Sequence, residues 1–294
     1  MNQSQNNLVN AFEPNGIKWI LNEAFSISIA RFKLFVTLVA IVQVPAILLS
    51  LYFSGLTEQE NRYDLILQII SYLTAFFAMT VSSSLIISAI GQHYAYNEVT
   101  LSFCFKRTWW RIISISLWAV LLTVPLFAIT YLANNVYDKQ ENSVYMLSII
   151  IVMITFIPFL IYTSFYTQTV IIEGFNLLNG IKRSAYLIHG KILKVFAAII
   201  LIGLLAIGLS VIVNIPFALL ELSESENSVN ANSSILFYSI LFLRNFVDSV
   251  IVFPILITAG TLLYFDIRSD KENYDINKLF NDIHISSHNL KLQQ

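Results

Sequence analysis

Six long apolar stretches divide this chain of 294 residues, at Leu34 to Phe53, Leu65 to Ile90, Ile112 to Leu132, Val144 to Ile172, Val195 to Leu220 and Phe246 to Phe265. Each holds at least the roughly 20 mostly apolar residues that an α-helix needs to cross about 30 Å of hydrocarbon. Lipid offers no partner to backbone N–H and C=O groups, so only helices or closed barrels can span it. The apolar runs do not alternate, and a barrel strand would be only about ten residues long, so helices are expected. Composition agrees, with 56% hydrophobic residues, 12% charged and a net charge of −1. The longest segments outside the spans, about thirty residues, fall short of the roughly 50 that an independent domain requires. Residues 1–294 therefore read as one integral membrane domain.

Basic residues set the expected orientation, because positively charged loops stay on the side from which insertion occurs. Of 17 lysines and arginines, all but Arg62, Lys139 and Arg244 lie in the N-terminal segment, between spans two and three, between spans four and five, or after span six. The opposite connections gather Glu58, Glu60, Asp64, Asp138, Glu141, Glu221, Glu224 and Glu226. Both termini are thus expected in the cytoplasm, with three acidic hairpin loops outside. Met1 to Asn15 lacks the basic and apolar regions of a cleaved signal peptide, so the first span itself should direct insertion. Cys104, the single cysteine, falls on the reducing side and is expected to serve packing.

Before each odd-numbered span lies a basic segment with helical apolar spacing, so the chain reads as three copies of interfacial amphipathic helix, span, short loop and returning span. Phe105 to Trp110 aligns with Ile181 to Tyr186 at an offset of 76, and Ala24, Ile27, Lys33 and Phe35 align with Ala185, Ile188, Lys194 and Phe196 at 161. Pairing Pro45 with Pro125 gives 80, so these registers do not close without a gap. The fold class expected is all-α, with six transmembrane helices as three hairpins. Residues 266–294 form a cytoplasmic tail, where Ile276, Leu279, Phe280 and Ile283 mark one face of a short fourth amphipathic helix.

Aromatic and basic residues beside a span favour the headgroup zone. Lys106, Arg107, Trp109, Trp110, Lys182, Arg183 and Tyr186 are therefore candidates for headgroup contact, each cation contributing on the order of 1 kcal/mol near an anionic surface. Ionisable groups within hydrocarbon are costly and mark candidate sites. Arg244 and Asp248, four residues apart, are expected to form an ion pair at the outer interface. Hydroxyl-rich spans two and four, including Gln68, Tyr162 and Thr163, suit either interhelical packing or a polar pathway. Pro45, Pro125, Pro158, Pro216 and Pro254 fall in or beside spans, where each removes a backbone donor.

Motifs for hydrolysis, nucleotide binding and redox chemistry are absent: there is no HExxH, CxxC, GxSxG, Walker loop or GxGxxG. His284 and His288 have i, i+4 spacing but no glutamate between them, which is a weak metal signal. No enzymatic activity, cofactor, metal or nucleic-acid partner is expected; membrane lipid or a membrane protein is the expected partner.

Leu263-Tyr264-Phe265-Asp266-Ile267-Arg268, then Lys271-Glu272-Asn273-Tyr274-Asp275, resembles the closing signature of bacterial multi-pass proteins related to the membrane domain of glycerophosphoryl diester phosphodiesterases. Gly180 to Tyr186 resembles a second part of that pattern. Asn273 departs from the glycine of that signature. The resemblance implies a transmembrane-only relative in the bacterial inner membrane, without the soluble catalytic barrel. It also marks Asp266, Arg268 and Glu272 as a cytoplasmic gate or partner contact, beside their simpler role of ending the span. Two functions compete: a non-enzymatic protein holding anionic lipid through its basic helices, and a transporter or lipid translocator with a polar cavity between spans two and four.

Overall fold

A computed structural model describes residues 16–57, 64–96, 98–138, 150, 154, 156–226, 231–275 and 277–283. The described residues are helical, with no strand among them. The amphipathic helix α1 (Ile17–Ala30) stops at Arg31 and runs into α2 (Phe32–Thr57), which packs along α3 (Asp64–Tyr96). Next come α4 (Leu101–Trp109) and α5 (Ile112–Asp138), then α6 (Leu177–Ile188) and α7 (Ile192–Glu226). The longest helix, α8 (Ala231–Glu272), contacts α1, α2, α3, α6 and α7, and α9 (277–283) closes the described chain.

Among the described residues, four helices are long and apolar enough to cross a membrane: Phe32–Phe53, Ile69–Tyr96, Ile192–Leu220 and Phe237–Glu272. A fifth results if Leu101–Trp109 and Ile112–Pro125, bent by 68° at their joint, count as one span. These helices are compatible with a membrane-embedded, multi-pass protein. Much of the fourth apolar stretch lies outside the described residues, as do Met1 to Asn15, Glu58, Glu60, Arg62, Lys139, Glu141, His284, His288 and the side chain of Gln68.

Where the fourth stretch is described, it is not the single helix expected. Residues 156–162 are helical, 163–165 form a turn, Tyr166–Gln168 make one helical turn, and Thr169–Glu173 are π-helical. Hydroxyl groups turned back on the backbone loosen this segment. Thr163 Oγ1 donates to the Phe159 carbonyl at 2.7 Å, and Thr169 Oγ1 to that of Tyr166 at 2.8 Å. Gly174, at φ 83°, ends the π-helix in the left-handed conformation that glycine adopts without a steric cost.

Burial along the chain repeats every 80 residues. Ala24, Cys104 and Ser184 are buried at equivalent places, as are Ser28, Thr108 and Ile188, and, beyond the joint, Phe35, Ile115 and Val195. Arg31, Arg111 and Lys191 stand at the three joints in the same register. The registers of 76 and 161 are therefore corrected to 80 and 160, and no gap is needed. A shift of four residues is close to one helical turn, so an amphipathic helix slid by that amount presents almost the same apolar face.

Candidate functional site

Polar side chains concentrate at the end of the bundle where α6, α8 and α9 meet, which is also the end rich in lysine and arginine. Tyr264, Arg268 and Glu272 follow at intervals of four on one face of α8. Arg183, from α6, reaches Glu272 with two nitrogens, at 2.5 and 2.7 Å, and Glu173 with its Nε at 2.8 Å. Such forked pairing uses the planar geometry of the guanidinium. Arg268 lies 3.4 Å from Glu173, 3.2 Å from Glu272 and 2.8 Å from Asp282 of α9, with the Tyr274 ring 3.6 Å from its Cζ. Tyr264 OH donates to Glu173 at 2.7 Å, and Tyr274 OH to Asp282 at 2.9 Å.

Desolvation raises the Glu173 carboxyl above its ordinary value, although Arg268 and Arg183 both pull it down. For Arg183, burial disfavours the charge, but the Glu272 hydrogen bond and the Glu173 charge outweigh it and leave the guanidinium held above its usual range. Burial is also the main cause that raises the Tyr274 phenol.

A second face of α8 meets the start of α7. Lys194 Nζ lies 2.8 Å from the buried Asp266, and Lys191 lies 2.8 Å from Asp270. Lys271 donates to the carbonyls of Tyr186 and His189 at the end of α6, where the helix dipole favours a cation. Asn273, at φ 49°, ends α8 in a left-handed conformation that favours glycine and is tolerated by asparagine.

Arg107 is turned into the protein rather than toward its surface. It is only 3% exposed and donates to the carbonyls of Ile171 at 2.6 Å, Ile172 at 2.8 Å and Ile283 at 3.3 Å. At the equivalent places in the first and third copies, Ile27 and Leu187 are buried. Arg107 thus places a cation in an otherwise apolar position, matched to the backbone carbonyls of Ile171, Ile172 and Ile283. Arg183, also a headgroup candidate, is likewise engaged inside the network. Lys106 and Lys182 are exposed, as are Trp109 at 71%, Tyr186 at 53% and Trp110 at 38%.

Asp266, Arg268 and Glu272 lie near the end of α8, where Asp266 and Arg268 are buried and face this chain's own lysines and carboxylates. Asp248 is bound across to α7 rather than along its own helix: Ser210 Oγ donates to its Oδ1, and Asn214 Nδ2 does so at 3.1 Å. No Arg244–Asp248 ion pair occurs among the described residues, and Arg244 has other interactions. Asp248 also lines a cavity of about 290 Å³ between α2, α3 and α8. Tyr162 and Thr163 do not line it. Thr163 is tied to its own backbone, and Tyr166 OH donates to the Ser114 carbonyl at 2.8 Å while its ring stacks on Trp118.

Sequence reasoning missed Glu173, Asp282, Ser210 and Asn214, which join these sites only through folding. The Tyr264, Arg268 and Glu272 spacing was the one visible signal. Among the described residues no group of three histidine, cysteine, aspartate or glutamate side chains is placed to hold a metal ion. Comparison of the chain with protein-family models, curated proteins and solved structures returns no match.

Proposed function

We propose that this chain is a non-enzymatic protein of the bacterial inner membrane whose amphipathic helices lie in the cytoplasmic headgroup layer and gather anionic lipid. The observation that carries this reading is the exposed set Lys106, Trp109, Trp110, Lys182 and Tyr186, on or just after two amphipathic helices that each lead into a long apolar one. Indole and phenol rings favour the interface, and a lysine near an anionic surface contributes about 1 kcal/mol. Arg107 and Arg183 hold the helices that present these groups. The resemblance to the phosphodiesterase-associated membrane domain supports the same picture, because Tyr264, Asp266, Arg268, Lys271 and Glu272 all belong to the network behind those helices.

Nanodiscs of mixed phosphatidylglycerol and phosphatidylcholine test the proposal. Native mass spectrometry of the released protein should show phosphatidylglycerol enriched on the wild type and not on the Lys106→Ala, Lys182→Ala double variant. Equal enrichment on both proteins would remove it.

A translocating role is the second reading, favoured by the Asp248 cavity. Asp248 precedes Asp266 by 18 residues along α8, about 27 Å at 1.5 Å per residue, so the cavity and the ion-pair network stand near opposite ends of the bundle. One end closed by ion pairs and a polar cavity toward the other suit alternating access. Liposomes containing the purified protein and a fluorescent lipid test it through the fraction quenched by external dithionite. No increase over protein-free liposomes would exclude this role.

A further inference from the structure

We infer that the cavity between α2, α3 and α8 is a binding site for a primary ammonium group, received by the Asp248 carboxylate. Among the described residues that line it, Asp248 is the one ionisable group. Its Oδ1 takes the hydrogen bonds of Ser210 and Asn214, which fix the carboxylate from the α7 side. Among the described residues no donor meets Oδ2.

The neighbouring polar groups each make a hydrogen bond within the protein, Ser50 with Ser71 at 3.3 Å among them. Asn245 Nδ2 donates to the Leu241 carbonyl at 2.9 Å, Ser249 Oγ to the Asn245 carbonyl at 2.7 Å, and Gln43 Nε2 to Ser82 Oγ at 3.4 Å. Their side-chain oxygens remain as acceptors around a carboxylate, which favours a ligand that brings N–H donors and positive charge. An anion would meet like charge, and a quaternary ammonium would leave the acceptors unmet. Ile47, Met79 and Phe253 supply apolar walls for a short carbon chain.

At about 290 Å³ the cavity is at the lower edge of the roughly 300–1,000 Å³ usual for small-molecule sites. It suits an aminoethyl headgroup or a small free alkylamine, not a whole phospholipid. This assignment deepens the translocation reading but needs no transport step. A protein that binds the ammonium and moves nothing removes that reading and leaves this one standing.

The full-length protein in nanodiscs of phosphatidylglycerol, which carries no amine, provides the test, with butylammonium as probe and butan-1-ol as its neutral counterpart. Saturation-transfer NMR, corrected with empty nanodiscs, should show saturable butylammonium binding that weakens at least tenfold in Asp248→Asn. Ala46→Leu, which fills the cavity and keeps the carboxylate, should weaken it similarly. Adding phosphatidylethanolamine separates the sources: competition with the probe assigns the site to the lipid headgroup, and its absence assigns it to a free amine. No saturable binding to the wild type, equal binding by both variants, or butan-1-ol binding as tightly as butylammonium would overturn the assignment.

Discussion

Arg107 is buried where the other two copies place Ile27 and Leu187, so its value to the fold lies in the carbonyls of Ile171, Ile172 and Ile283. Each buried carbonyl left without a partner costs about 1–3 kcal/mol. Arg107→Leu should therefore lower stability by at least that much in denaturant unfolding of the purified protein, although leucine is native at the equivalent position 187. Gly180 is held to hydrogen by close packing: a Cβ there would lie 3.0 Å from Val170 Cγ2 and 3.2 Å from Tyr166 Cε2. Overpacking of this kind costs about 1–3 kcal/mol, and Gly180→Val should show it in the same measurement. Glu173 adds a pH dependence. Its carboxyl is raised in the folded state from 4.5, so its contribution is fully present below pH 4.5 and declines as pH rises through the elevated value. Melting temperature should fall less steeply over that range in Glu173→Gln than in the wild type; identical slopes would contradict this. Arg107 and Arg183 both read as surface cations in the sequence, because which face of an amphipathic helix meets solvent depends on neighbours distant in the chain.

The long apolar helices and their amphipathic leaders were legible from hydrophobic spacing alone, and the joints at Arg31, Trp110–Arg111 and His189–Lys191 fall where basic residues interrupt that spacing. Register was less legible, since one helical turn of slip conserves amphipathic character. The break at residues 163–165 was hidden for another reason. Its apolar composition suits a continuous helix, and the compensating group, Ser184, comes from α6. Ser184 Oγ accepts from Phe165 N at 3.1 Å and donates to the Tyr162 carbonyl at 2.8 Å, replacing hydrogen bonds that the interrupted helix lacks. Ser184→Ala should speed amide exchange at Phe165 while leaving exchange in α3 unchanged. Unaltered protection at Phe165 would show that Ser184 does not hold the break. The cavity at Asp248 was half legible: the carboxylate in an apolar stretch stood out, whereas Ser210 and Asn214 reach it only through the packing of α7 on α8.

At the scale of the whole molecule, the burial pattern of an amphipathic helix and the start of the long apolar helix after it recurs at intervals of 80 residues, with a cation at each of the three joints. Ion pairs then tie α8 to α6, the start of α7 and α9 at that basic end, and α8 runs 42 residues, about 63 Å, past the cavity toward the other. The lipid-gathering proposal requires the basic end to face the cytoplasm. Cysteine labelling in intact cells tests that requirement most directly, with a membrane-impermeant maleimide and the buried Cys104 as an internal blank. Lys182→Cys is expected to react only after the membrane is permeabilised, and Asn227→Cys, in the acidic connection before α8, in intact cells. Labelling of Lys182→Cys from outside intact cells, with Asn227→Cys protected, would contradict the proposed orientation and with it the contact with cytoplasmic anionic lipid.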